Sequence, residues 1–137
     1  MRLFDASSII EILTSQRMGA ADLLGEGART ELTLFEVGNV VWKSRGPHPR
    51  RDDAEAIRRV KEAGKVISLM SVAGLQPSEA GEVIEIILRN RLSFYDASYL
   101  YLALRDRFTL VTEDEALRKA ALKEGCPVEK VGEIESP

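Results

Sequence analysis

The chain has 137 residues, 45% of them hydrophobic, and a formal net charge of −3. That is the size of one domain with a core of its own, and the acidic balance excludes a global positive field as the means of holding nucleic acid, leaving only local patches. The single cysteine, Cys126, excludes an internal disulfide or a thiolate zinc cluster, no apolar run approaches a membrane span, and Asp5 is out of place in a signal peptide, so a cytoplasmic protein with no membrane partner is expected.

Met1-Arg2-Leu3-Phe4 reads as a strand ending at Asp5, with Ser7 or Ser8 capping the helix that carries Ile9, Ile10, Ile12 and Leu13. A second short helix runs through Ala20, Ala21, Leu23 and Leu24 and stops at Gly25 and Gly27. Residues 29–34 alternate like a strand, and Phe35 opens a helix that reaches about Ser44. Gly46-Pro47-His48-Pro49 breaks the chain. A long charged helix follows over about 51–70, with Ala54, Ile57, Val60, Ala63 and Ile67 as its apolar stripe. Residues 78–90 read as a helix burying Val83, Ile84, Ile86, Ile87 and Leu88. Ser93 caps a helix from Phe94 to about Arg107. A strand over 108–112, a helix from Asp114 to Glu124 stopped by Gly125, and a short strand from Val128 to Val131 complete the pattern. Strands separated by helices predict an α/β fold, a parallel sheet of about four to five strands flanked by helices. One domain over residues 1–132 is expected, with a polar tail at 133–137.

Four acids stand out by position. Asp5 ends the first strand, Glu36 lies in the first turn after the second, and Asp114 follows the strand Leu110-Val111-Thr112. In a parallel sheet such junctions share one edge, where ligands bind. Asp5 also has a plainer reading, as a helix cap. Asp96 sits on a helix that is apolar nearly all round, with Leu92, Ser93, Tyr99 and Leu100 at the neighbouring helical positions and no cation among them. A buried carboxylate there costs several kcal/mol unless it is paired, hydrogen-bonded or metal-bound; capping another element's amides is the plainer alternative. Carboxylates gathered in one crevice repel one another. A divalent cation makes such a cluster tolerable, and an oxygen-only donor set favours Mg²⁺ or Mn²⁺ over zinc. Sites of that kind typically act on phosphate esters.

With Phe4-Asp5-Ala6-Ser7, Thr33-Leu34-Phe35-Glu36-Val37 with Asn39, Phe94-Tyr95-Asp96-Ala97-Ser98-Tyr99 and Leu110-Val111-Thr112-Glu113-Asp114 in this order, the chain resembles the PIN-domain ribonucleases, and closely the toxin members of the VapC type. The resemblance covers about the whole chain and implies a single PIN-like domain. The family's acidic residues fall on Asp5, Glu36, Asp96 and Asp114, the hydroxyl near the last acid on Thr112, and the small polar residue after the first on Ser7. Asp5, Asp96 and Asp114 are then the metal ligands and Glu36 binds metal or positions water. Ser7 and Thr112 orient the carboxylates. Glu113 and Glu115 flank Asp114, so its choice over them rests on the family's Thr-x-Asp pattern. Around 65–77 no clear strand is legible where the family often has one.

The resemblance implies Mg²⁺- or Mn²⁺-dependent hydrolysis of an RNA phosphodiester, a homodimer, and a small antitoxin protein as partner. A haloacid-type phosphatase would want a second Asp where Ser7 stands. The alternative is a non-catalytic PIN scaffold that binds RNA or protein. Lys43, Arg45, Arg50, Arg51, Arg58, Arg59, Lys61 and Lys65 outnumber Asp52, Asp53, Glu55 and Glu62 over residues 43–65. That segment is either an RNA-facing patch or a solvated helix face with pairs such as Glu55–Arg59. His48, between two prolines, reads as a loop residue, and Trp42 as packing or an interface. Tyr95, Tyr99 and Tyr101 point different ways around one helix.

Overall fold

The computed structural model describes residues 1–135. In chain order the elements are β1 (Arg2–Phe4), α1 (Ala6–Thr14), α2 (Ala20–Gly25), β2 (Ala28–Arg29), α3 (Thr33–Lys43), α4 (Pro49–Ile67), β3 (Ser71–Val72), α5 (Ala80–Asn90), α6 (Phe94–Asp106), β4 (Thr109–Val111), α7 (Glu115–Lys123) and β5 (Val128–Glu129). Short 3₁₀ turns span Pro77–Glu79 and Val131–Glu133. All five strands are parallel, in the order β3-β2-β1-β4-β5. The α/β reading and the strand number are thus borne out.

Alternation along the strands divides the core into two layers. Leu3 and Leu110 are wholly buried in a cluster with Val83 and Ile86 of α5, Leu100 and Leu102 of α6, and Leu117 of α7. Their strand neighbours Phe4 and Val111 face the opposite way, against Ile9 and Ile12 of α1, Val37 of α3 and Ala63 and Ile67 of α4. Helices therefore cover both faces of the sheet, as a parallel sheet requires. Strand order reverses at β1: the chain moves outward to β2 and β3, then returns to β4 on the other side of β1. The crevice at the carboxyl ends of β1 and β4 is the topological switch point, where open α/β sheets bind ligands.

Several elements differ from their sequence reading. The alternating run 29–34 is a strand only at Ala28–Arg29. Threonine hydroxyls end it: the Thr30 amide donates to Thr33 Oγ1 at 3.1 Å and the Leu32 amide to Thr30 Oγ1 at 3.3 Å, which diverts the backbone into a helix start. A strand does form in the segment where none was legible, at Ser71–Val72, paired with β2. Only the last turns of α4 bury their stripe, at Ala63 and Ile67; Ala54 is exposed and Ile57 is 55% exposed. On α5, Val83 and Ile86 are buried, but Ile84 is exposed and Leu88 is 78% exposed. The last strand stops at Glu129, and Val131 begins a 3₁₀ turn. Ile134, placed in the expected polar tail, is buried in the second cluster, and Arg17 donates to the Val131 and Ile134 carbonyls at 2.9 and 2.6 Å. Residues 136–137 of that tail lie outside the described residues. Among the described residues no helix is long and apolar enough to cross a membrane.

Candidate active site

Asp5 follows the last residue of the central strand, and the Asp5 amide still donates to the Val111 carbonyl of β4 at 3.1 Å. It is the N-cap of α1, in place of the expected Ser7 or Ser8, with Oδ1 accepting from the Ser8 amide at 2.8 Å. Capping and site membership are therefore one placement, since a cap at this strand end lies in the switch-point crevice. Ser7 Oγ donates to Asp5 Oδ1 at 2.7 Å and accepts from the Glu113 amide at 3.0 Å. Thr112 Oγ1 donates to Asp5 Oδ2 at 2.5 Å and accepts from the Asp114 amide at 3.0 Å. Both hydroxyls thus take an amide proton from the loop after β4 and pass their own to a different oxygen of Asp5. The loop and the carboxylate are held as one unit.

Asp114 is the N-cap of α7, and its Oδ1 accepts from the Leu117 amide at 2.7 Å. Glu36 lies in the first turn of α3 and Asp96 in the first turn of α6, whose N-cap is Ser93 as expected. Four helix N-termini, those of α1, α3, α6 and α7, therefore bring their partial positive charge to the same four acids. Glu36 accepts from the Tyr99 hydroxyl at 2.8 Å. Of the flanking acids, Glu113 is engaged with the Val131 amide at 2.7 Å and Glu115 pairs with Lys130. Both lead away from the cluster.

The carboxylates feel one another. Burial pushes the Asp5 carboxyl above its ordinary range despite the hydrogen bonds from Thr112, Ser7 and the Ser8 amide that oppose it. Burial also raises Glu36, and the Asp5 and Asp96 charges raise it further against the Tyr99 hydrogen bond. Asp96 is raised by burial, then by the charges of Asp114 and Asp5. Among the described residues, none of the ten ion pairs reaches any of the four acids. Their negative charge is left without a protein cation.

That donor chemistry fits a hard divalent ion. The side chains as they stand form no ready-made cage: among the described residues no three His, Cys, Asp or Glu groups are arranged to grip one ion. Mg²⁺ does not need such a cage, because it keeps several waters and takes one or two carboxylates directly. Glu36 and Asp96 open onto a depression of about 560 Å³ also lined by Leu32, Phe35, Asn39, Ser93 and Tyr95. Phe35 and Tyr95, each one residue before an acid, are 74% and 58% exposed.

All four acids of the basic segment are engaged, but by only three of its eight cations, so it stays net positive. Arg45 pairs with Asp53, Arg51 with Asp52, and Arg58 with both Glu55 and Glu62, so Glu55 takes Arg58 rather than the expected Arg59. Arg45 also lies over the exposed Trp42 ring at 4.1 Å. Tyr99 and Thr33, at the heart of the Glu36 environment, were not singled out by the sequence. The available signal was spacing: Tyr99 is one helical turn after Asp96, and Thr33 one turn before Glu36.

A PIN domain family model matches residues 2–123. Over 86 residues the chain is 40% identical to an exonuclease named VapC9 from Pyrobaculum aerophilum, a stretch that takes 63% of this chain and 60% of that protein. The chain thus spans less than two thirds of that relative's length. Among solved structures, PAE2754 from Pyrobaculum aerophilum superposes with a TM-score of 0.78 at 26% identity, over 96% of this chain and 90% of that one. A toxin–antitoxin complex from Klebsiella pneumoniae gives a TM-score of 0.59 at 20% identity over 83% and 87% of the two chains. FitAB bound to an IR36 DNA fragment gives 0.68 at 15% identity over 99% of each, and these last two likenesses are of fold alone. With most of its length matched by the family model and its acids gathered at the switch point of the sheet, the chain belongs to the PIN domain family.

Proposed function

We propose that this protein is a Mg²⁺- or Mn²⁺-dependent ribonuclease that hydrolyses RNA phosphodiesters, the toxin of a toxin–antitoxin pair acting in the cytoplasm. The observation that carries the reading is the raised, mutually repelling set Asp5, Glu36 and Asp96 beside Asp114, served by hydroxyls and amides and by no cation. The relative named as an exonuclease and the toxin–antitoxin complex of the same fold support the activity and the partner.

Asp5, Asp96 and Asp114 would hold the ion, in part through its water shell. When bound, the ion neutralises charge on the phosphate and activates water at neutral pH. Ser7 and Thr112 fix both oxygens of Asp5, so no rotamer search accompanies binding. Glu36 lines the same depression as Asp96, where it would orient the attacking water or complete the ion's shell. The exposed rings of Phe35 and Tyr95 offer flat apolar surface to unpaired bases, which stack on aromatic side chains. A homodimer and an antitoxin segment that sets a cation against the carboxylates belong to the same proposal.

A divalent-ion melt tests the site directly. Saturating Mn²⁺ stabilises a folded state that binds it, by about 2.7 kcal/mol at a hundred times Kd. The melting temperature of the wild type is expected to rise by several degrees with Mn²⁺ and that of Asp96→Asn to rise far less. An equal response in the two proteins would remove Asp96 from the ion site.

A further inference from the structure

We infer that Tyr99 is a positioning residue: through one hydrogen bond it fixes Glu36 at the depression that Glu36 and Asp96 both line. The inference rests on the ribonuclease reading for its activity readout, and on geometry alone for the rest.

The ring of Tyr99 is 1% exposed, within the core cluster under α6. Its hydroxyl is 2.8 Å from Glu36 Oε1 and 3.2 Å from Thr33 Oγ1. Proton bookkeeping sets the direction of both bonds. A tyrosine hydroxyl has one proton and an ionised carboxylate can only accept, so Tyr99 donates to Glu36. Thr33 must then donate to Tyr99, and it accepts in turn from the Thr30 amide at 3.1 Å. The chain runs Thr30 amide, Thr33 hydroxyl, Tyr99 hydroxyl, Glu36 carboxylate, with every proton directed toward Glu36. Aligned hydrogen bonds of this kind polarise and strengthen one another in a low-dielectric interior.

The relay ties together elements distant in sequence. Thr30 and Thr33 belong to the β2–α3 junction, while Tyr99 stands one turn after Asp96 on α6. Asp5 and Asp96 both repel Glu36. An unanchored glutamate has three side-chain torsions with which to swing away toward solvent. Tyr99 opposes that escape, so a buried phenol on the helix that carries Asp96 holds the carboxylate of α3. The hydroxyl itself is held protonated by burial and by the Glu36 charge, which push its pKa up. Its one proton is committed to Glu36, so it serves as a fixed donor.

Tyr99→Phe keeps the ring and deletes the donor. Cleavage of a short fluorescein-labelled single-stranded RNA with Mn²⁺ is expected to lose about ten- to a hundredfold in kcat with KM nearly unchanged, and Thr33→Val a smaller part of that. In a Glu36→Gln background the Tyr99→Phe change should add little, because the residue it positions is already gone. Independently of activity, the side-chain carboxyl ¹³C resonance of Glu36 should shift in Tyr99→Phe. A variant with wild-type kcat, or full additivity of the two substitutions, would overturn the inference. Should the wild type cleave no RNA, the ribonuclease reading falls and the ¹³C shift alone decides: a moved resonance upholds the anchoring of Glu36, an unmoved one ends it.

Discussion

Thr112 donates its buried hydroxyl proton to Asp5 Oδ2 at 2.5 Å, bridging two adjacent parallel strands at the point where strand order reverses. Thr112 Oγ1 in turn accepts from the Asp114 amide at 3.0 Å. Thr112→Val keeps the shape and deletes both bonds. It leaves the Asp114 amide and one carboxylate oxygen without their partner, which costs about 1–3 kcal/mol of stability. Activity should fall about ten- to a hundredfold. Thr112→Ser, which retains the hydroxyl, should recover most of it. Denaturant melts and RNA cleavage on the two variants check this, and equal activity in Val and Ser would contradict it.

The raised acids make a pH prediction with a definite sign. A carboxyl whose folded pKa exceeds its unfolded value destabilises the fold when ionised. That penalty is absent below the unfolded pKa, grows as pH rises from the unfolded to the folded pKa, and is constant above it. Asp96 is such a group, raised by burial and by Asp114 and Asp5. In chelator at neutral pH, Asp96→Asn should therefore melt above the wild type. The gap should close as pH falls toward the ordinary carboxylate range. Melting curves at several pH values decide it; a variant that melts lower at neutral pH would show that Asp96 is stabilised where it stands.

Gly27 is required by the close approach of the strand that carries Asp5. A Cβ there would sit 2.5 and 2.7 Å from ring carbons of Phe4 and 3.3 Å from the Arg2 carbonyl. Phe4 is wholly buried and cannot retreat. Gly27→Ala should cost about 1–3 kcal/mol through overpacking, and activity should fall as Asp5 shifts with its neighbour. An unchanged denaturation midpoint would contradict this.

The sequence made the frame legible where one residue type had one job. Gly25 does lie at the end of α2, and Gly125 takes φ +76 just past α7. Ser93 caps α6, and the order of strands and helices gave the parallel sheet. Elements governed by long-range packing were not legible. Ser71–Val72 has only two residues and no alternation, and is a strand because β2 offers it an edge. The run Arg29–Leu34 alternates, yet the Thr30 and Thr33 hydroxyls capture amides that a strand would need. α5 and α6 end without glycine, at Arg91 and Arg107 with φ +52 and +56.

For the site, Asp5, Glu36 and Asp114 could be named because each follows a strand at a helix start, and Asp96 because it is a carboxylate on a helix apolar nearly all round. Their partners needed the fold. Tyr99 looks like one of three misaligned tyrosines until α6 is packed, and then it alone of the three reaches Glu36. The basic segment over 43–65 counts as positive in sequence and stays so in the fold, where Arg45, Arg51 and Arg58 take up its four acids and the other five cations form no ion pair among the described residues.

Cleavage of RNA with a divalent ion is the activity proposed for the acidic cluster at the ends of β1 and β4. The most direct measurement is cleavage of a mixed set of short structured and single-stranded RNAs by the purified protein. It is run with Mg²⁺, with Mn²⁺, with chelator, and with Asp5→Asn and Asp96→Asn, both checked for folding by circular dichroism. Cleavage that requires the ion and disappears in both folded variants is the predicted result. Undiminished cleavage in either folded variant, or in chelator, would contradict the account.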